Sequence, residues 1–425
     1  MMRSYMLRKA APDQLLCGPF GRFQRDHAVG ISLGITGRLR RSSSEAHAPK
    51  LSGPRESSAL VTGQVPAFAF DIDGVLQRGG SKLAAGIEAM RALHDSETGL
   101  PRVPLVFLTN GGGHTEHARA QKLSRMFDIQ VREEQIILSH TPMRNLAPKY
   151  NALKDKSVLC VGRRECARVA AYYGFERPIS SEDLGFMYQS STPLSQYDEQ
   201  KRRINSEQGI IGNDDAFAHV FAPEYLRETA NLGVASIFVM HDSADWGRDI
   251  QLISDIVLTE ESLPSRLVDP SVPVTPLLGE QRVDVYFSNP DFIWPNEVQH
   301  PRYGQGAFRI ALCAVYRELT RRELVYEQFG KPQAIQYREV TRRLTHQLCR
   351  GQTISHIYAI GDNPAADVRG ANGAGKEFVS VLVRTGCFQG DDENDSNDPA
   401  HIVVPDALHA VREALRRELG TDSLS

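Results

Sequence analysis

The chain is poor in several things, and each shortage excludes a class. Six cysteines in 425 residues (17, 160, 166, 313, 349 and 387), with no C-x-x-C pair, argue against a disulfide scaffold or a thiolate zinc site. They fit free thiols in a reducing compartment. No apolar run approaches the roughly 18 residues of a membrane-spanning helix. Neither sign of charge dominates: 49 Lys+Arg stand against 52 Asp+Glu, a net −3, which argues against a protein built mainly to hold nucleic acid. There is no GxxxxGK[ST], no GxSxG and no HExxH, so P-loop, serine-elbow and zincin chemistries lack their signatures. No internal repeat is present.

What remains is an ordinary globular composition, 41% hydrophobic and 24% charged, on a length that calls for two or three domains. The charge is unevenly placed. Residues 1–50 hold nine basic residues and three acidic ones, whereas the rest of the chain holds 40 against 49. An Arg-rich, acid-poor segment containing Ser42, Ser43 and Ser44 has the composition of a mitochondrial presequence, with processing expected near GRLRRSSS (37–44). A disordered extension, or a start codon placed too far upstream, is the plainer account. Residues 1–63 are therefore set aside as a leader.

From residue 64 onward, short apolar runs alternate with helical patterns, which predicts a parallel α/β sheet. PAFAFD (66–71), VPLVFLT (103–109), QIILSH (135–140), SVLCVG (157–162), FAHVFAP (216–222), VASIFVMH (234–241), RVDVYFS (282–288), HIYAIGD (356–362), EFVSVLVRT (377–385) and HIVV (401–404) read as extended. Helices are expected near 82–95, 115–127, 307–319, 333–348 and 406–418. The stretch 179–215 is polar and gives no clear pattern. DDENDSND (391–398) lacks the Gly and the terminal Glu of a calcium loop and reads as a solvated turn.

Four motifs carry chemistry. DIDG puts Asp71 and Asp73 at the end of a buried strand, where ligands of open α/β sheets bind. Two acids so close favour a bound cation. LTNGGG (108–113) offers the Thr109 hydroxyl, the Asn110 amide and glycines that let backbone approach an anion. GKP (330–332) holds Lys331 at a defined point, where it can meet a phosphate oxygen. AIGDNPAADVRGANGAG (359–375) places Asp362 at a strand end and Asp367 five residues on. Singly, these are an Asx-capped turn, a Gly-rich turn, a lone lysine and a strand end. Together they set four carboxylates, a Thr/Asn anion seat and one lysine at one sheet edge, with oxygen ligands suited to Mg²⁺.

In this order the motifs resemble the haloacid dehalogenase (HAD) superfamily of phosphatases. The 220 residues between Asn110 and Lys331 are too many for a crossover and resemble the inserted cap of class IIA. IILSHTPM (136–143), DWGRDIQ (245–251), FSNPDFIWPN (287–296) and PRYGQGAF (301–308) are most similar to the cat eye syndrome critical region protein 5 family. Ala366 and Gly111–Gly113 depart from the pattern, where relatives often carry Ser, and Asn or Ser. The resemblance covers about 66–388. It implies an α/β, Rossmann-like parallel core (64–141 plus 300–425) with an inserted α/β cap (142–299). It implies Asp71 as nucleophile forming an aspartyl-phosphate, Asp73 as general acid and base, and Lys331 as charge partner. Thr109, Asn110 and Lys331 would hold the phosphoryl oxygens, and Asp71, Asp73 (through its carbonyl), Asp362 and Asp367 would hold Mg²⁺.

The implied reaction is Mg²⁺-dependent hydrolysis of a small phosphate monoester. The alternative is a non-catalytic or weakly active binding protein that keeps the fold. Asp73 and the oxygen-rich metal site argue against dehalogenation. No nucleic-acid partner and no membrane span are expected, and the resemblance allows a homodimer through the cap. The leader points to mitochondria, with the matrix as compartment and the cytoplasm as alternative. A mitochondrial setting suggests lipid-precursor phosphates such as glycerophosphates. Asn289, Pro290 and Asp291 read as the loop where the cap returns, contacting substrate or serving as a hinge. Trp294 reads as packing, and His114 and His117 read as solvated helix residues.

Overall fold

A computed structural model describes residues 63–197, 215–264, 280–294, 296, 298, 300–389 and 393–424. The expected presequence, Cys17 and the end of the polar stretch at 198–214 lie outside the described residues. Among the described residues no helix is long and apolar enough to cross a membrane.

Two parallel sheets organise the chain. The first has six strands in the order Ile402–Val404, Phe378–Val383, Gln352–Gly361, Gly63–Phe70, Leu105–Leu108 and Ile136–Ile137. The chain starts at the middle, works outward to one edge, then returns to build the other side. Its topological switch point therefore lies between Gly63–Phe70 and Gln352–Gly361, and the crevice beyond their carboxyl ends is where such sheets bind ligands. The strand sequence explains the two-sided burial. Phe68 and Phe70 enter the core under helices Ala84–Leu93, Glu116–Phe127 and Ala407–Leu419. Ala67 and Ala69 face the other way, toward Tyr337, Val340 and Leu344 of helix Ala334–Thr345. A period of two with apolar residues on both faces is what a central parallel strand requires.

The second sheet has five parallel strands in the order Glu327–Gln328, Asp284–Phe287, Gly233–Val239, Lys156–Val161 and Pro178–Ser180. Helix Gln305–Thr320 packs here too: Phe308, Leu312 and Tyr316, spaced four apart, join Val285 and Phe287 in one apolar cluster. The chain thus stays with the second sheet beyond residue 299, through Gln328. The strand expected at 216–222 is instead the 3-10 helix Asp215–Phe221. Its inward residues Phe217, Val220 and Phe221 recur at helical spacing, and Pro223 opens the helix that follows. A short apolar run cannot by itself distinguish these alternatives.

Candidate active site

The strand Gly63–Phe70 delivers Asp71, and Gln352–Gly361 delivers Asp362, one on each side of the switch point. The Asp71 N–H donates to the Ile360 carbonyl at 2.8 Å, locking the two strand ends in register. Asp367 comes from the short π-helix Pro364–Val368, where its Oδ2 accepts the Asn363 N–H at 3.1 Å. Single oxygens of Asp71, Asp362 and Asp367 all lie within 4.8 Å of one another, and all three residues are buried. Gly74, at φ +89°, follows closely, and a Cβ there would run into the Asp362 carboxylate.

One buried cation answers these acids. Lys331 Nζ donates to Asp71 Oδ1 at 2.7 Å, to Asp367 Oδ1 at 2.6 Å and to the Leu108 carbonyl at 3.2 Å. Burial would lower the pKa of its ammonium, yet Asp367 and Asp71 hold it well above the ordinary lysine value. Burial drives the Asp71 carboxyl well above its usual range against the pull of Lys331, with Asp367 and Asp362 adding to the rise. Asp362 is pushed up to about 7, by burial first and then by Asp367. Its Oδ2 accepts the Cys387 N–H at 2.6 Å.

The Asn110 side chain works on the lysine. Its Oδ1 accepts the Lys331 N–H at 2.7 Å, and its Nδ2 donates to the Lys331 carbonyl at 3.2 Å and to Asp291 Oδ2 at 3.1 Å. The Thr109 hydroxyl accepts the Gly111 N–H at 3.0 Å and shapes the turn. Asp73 stands apart from the other acids. Gln77 Nε2 donates to its Oδ1 at 2.7 Å, and Arg119 lies 3.6 Å from its Oδ2.

All seven expected residues line one cavity of about 600 Å³. The second sheet closes it, because Arg163 and His241 lie two residues past Val161 and Val239. This explains the glycines at 112 and 113. A Cβ on Gly112 would strike the Met240 carbonyl and the His140 ring, and one on Gly113 would strike the His241 ring. The Gly113 N–H donates to His140 Nε2 at 3.1 Å, so the His140 proton sits on Nδ1 and points to the Tyr173 hydroxyl at 2.7 Å. Tyr173 in turn donates to Glu116 Oε1 at 2.9 Å.

The readings of His114 and Trp294 are corrected here. His114 is a cavity residue rather than a solvated helix residue: it precedes the Thr115 cap, and burial lowers its pKa to about 4. His117 does lie on the surface, 2.9 Å from Gln121 Nε2. Trp294 lines the cavity, on the short pair Ile293–Trp294 and Arg302–Tyr303. Asp291 lines it as well, and burial pushes its carboxyl up to about 6. Arg119, Lys122, Arg163 and Asp242 also line it. No local pattern in the sequence marked these four, because their approach depends on how the second sheet sits over the first.

Residues 68–176 match a haloacid dehalogenase-like hydrolase family model, and residues 328–410 match a HAD-hydrolase-like model. A mitochondrial hydrolase of Saccharomyces cerevisiae is 30% identical over 383 residues, covering 84% of this chain and 97% of that one. The chain belongs to the haloacid dehalogenase-like hydrolases. The hydrolase is also 32% identical over 368 residues to a cardiolipin synthase (CMP-forming)/mitochondrial hydrolase fusion protein of Schizosaccharomyces pombe, matching 84% of this chain but spanning 54% of that protein. Among solved structures, it is similar to a glycerol phosphate phosphatase from Mycobacterium tuberculosis in complex with magnesium, with a TM-score of 0.47 and 15% identity over 81% of this chain and 75% of that one. It is also similar to a p-nitrophenyl phosphatase from Archaeoglobus fulgidus, with a TM-score of 0.44 and 16% identity over 81% and 97%.

Proposed function

We propose that this hydrolase is a Mg²⁺-dependent phosphatase of small phosphate monoesters. The observation that carries the reading is the division of its acids. Asp71 and Asp367 both pair with Lys331 and Asp362 joins them within 4.8 Å, whereas Gln77 holds the Asp73 carboxylate apart. Two kinds of environment for neighbouring carboxylates support two kinds of role.

The donor set fits a hard divalent ion. Three buried carboxylates cluster where one ammonium pairs with two of them, and all the donors are oxygens. Asp71, Asp362 and Asp367, with the Asp73 carbonyl, would hold Mg²⁺. When bound, it offsets the repulsion between a carboxylate nucleophile and an anionic phosphoryl group. An Asp71 oxygen attacks phosphorus and the P–O ester bond breaks. Asp73 gives its proton to the departing oxygen. Water then attacks the aspartyl-phosphate, Asp73 takes a proton from it, and phosphate leaves as the Asp71 carboxylate is restored. Thr109, the Asn110 N–H and Lys331 hold the phosphoryl oxygens.

The packing of Gln305–Thr320 supports a core of about 63–141 plus 329–424 and a cap of about 142–328. Two relatives named as mitochondrial hydrolases and the basic leader support the mitochondrion, with the matrix as compartment. That setting supports a phosphorylated lipid precursor as the substrate class. The test is hydrolysis of p-nitrophenyl phosphate and a panel of metabolite phosphates with Mg²⁺, beside Asp71→Asn. Turnover that the substitution abolishes supports the reading. Full activity in Asp71→Asn rejects the nucleophile, and no turnover with intact phosphate binding returns the binding-protein alternative. The mature N-terminus in isolated mitochondria tests the location.

A further inference from the structure

The same cavity has a basic end that phosphoryl transfer at Asp71 does not use. Arg119 forms its inner part. It is more than nine-tenths buried and lines the cavity, its Nε has no hydrogen-bond partner, and its nearest carboxylate, Asp73, lies at 3.6 Å. Lys122, one turn further along helix Glu116–Phe127, and Arg163, from the second sheet, stand at the rim. Among the described residues neither has a carboxylate within ion-pair range. The three cations lie close enough for their charges to bear on one another: burial first, then Arg119 and Arg163, depress the Lys122 pKa.

Two acids also face this end, Asp73 and Asp242. Three cations against two acids leave a surplus of positive charge. A guanidinium that lines the cavity with its one carboxylate as far off as 3.6 Å is short of the charge-assisted hydrogen bonds that an anion in the cavity would supply. Position fixes which part of a substrate that anion belongs to. Asp73 would protonate the leaving oxygen, and Arg119 stands directly beside Asp73. The basic end therefore faces the leaving group rather than the transferring phosphoryl group.

We propose that Arg119, Lys122 and Arg163 form a second anion subsite, so that the preferred substrate is a phosphate monoester whose leaving group carries its own carboxylate or phosphate. This deepens the phosphatase reading and rests on it. The three cations offer several N–H donors for charge-assisted hydrogen bonds, and Arg163 completes the set only when the second sheet covers the site.

The test uses a matched three-carbon set on the full chain with Mg²⁺. It comprises glycerol 3-phosphate with a neutral leaving group, 3-phosphoglycerate with a carboxylate, and propane-1,3-diol bisphosphate with a second phosphate. One of the two anionic compounds is expected to exceed glycerol 3-phosphate in kcat/KM by about 30-fold or more, and which one does so identifies the anion. Arg163→Gln and Lys122→Gln are each expected to shrink that ratio about tenfold, mainly through KM, in line with a lost charge-assisted bond. Equal kcat/KM across the set, or an equal fall on all three compounds, overturns the subsite. If the wild type turns over none of them, the phosphatase reading fails separately. The subsite is then judged by calorimetric titration of the same compounds, where an equal Kd for all three rejects it and a preference lost in Arg163→Gln upholds it.

Discussion

Lys331 and Asp71 lie 260 residues apart in the chain and 2.7 Å apart in space. The contact is made from a turn that Asn110 grips at both its N–H and its carbonyl. Removing the ammonium leaves Asp71 and Asp367 buried without a counter-charge. Lys331→Met is expected to lower kcat by about a thousandfold. It should also cost about 3–5 kcal/mol of stability, as breaking a buried ion pair does. Since Mg²⁺ would neutralise the same acids, the fall in Tm should be smaller with Mg²⁺ than with chelator. Scanning calorimetry under both conditions checks this.

Asp362 tests the metal from the opposite strand. Its carboxylate shares the cluster with Asp71 and Asp367, while the Cys387 N–H is its close backbone donor. Asp362→Asn removes one anionic ligand without changing shape. The Mg²⁺ concentration for half-maximal activity should rise by at least about 10- to 100-fold, since losing even an outer-shell partner weakens a metal site on that scale. Chelation should silence the wild type, and added Mg²⁺ should restore it. An unchanged Mg²⁺ requirement in the variant would remove Asp362 from the site.

Gly112 tests the fit between the sheets. A methyl group there meets the Met240 carbonyl and the His140 ring, neither of which is the free end of a flexible side chain. Gly112→Ala is expected to cost about 1–3 kcal/mol, the usual penalty of overpacking. Urea unfolding gives the value. Gly373, which has open space around it, provides a control: Gly373→Ala should bring no steric cost.

His140 gives the pH dependence. Burial, together with His241, His114 and Arg144, lowers its pKa to about 3. An unfolded histidine titrates near about 6.5. Below that pH the unfolded chain takes up a proton that the folded site refuses. Stability from this residue is therefore complete above about pH 6.5 and declines toward pH 3, by up to about 1.4 kcal/mol per pH unit. His140→Gln should flatten that slope between pH 6 and 4 in urea melts. Tyr173→Phe leaves the histidine neutral but removes a bond to it and another to Glu116, so it should lower stability by about 1–2 kcal/mol at every pH in that range.

How much of this was legible depended on where each residue's neighbours come from. Asp71, Thr109 and Asp362 each end an apolar run, so local pattern placed them at strand ends. Their meeting followed from the parallel alternation. The use of the Asn110 side chain on Lys331 was not legible, because it needs the turn at Gly330–Pro332 brought against the second motif. Arg119 and Lys122 read from sequence as ordinary helix positions, and only the approach of Arg163 from the other sheet gives them a common focus. His114 was misread because the helix begins after it, with Thr115 accepting the Ala118 N–H, which leaves the imidazole in the turn. The segment 216–222 misled for a different reason. Seven mostly apolar residues satisfy either period, and the choice was made by packing against Tyr172 and Arg164.

The bare glycines at 112 and 113 couple admission to readiness. Met240 and His241 are the ceiling against which that loop rests. A molecule bulky enough to hold the ceiling up also deprives the anion seat of its backing. On the proposed phosphatase reading, an ester too large to sit beneath Met240 and His241 would meet an anion seat without that backing, and its rejection would need no dedicated gatekeeper side chain. Enlarging the chamber by trimming its rim would widen entry without widening turnover.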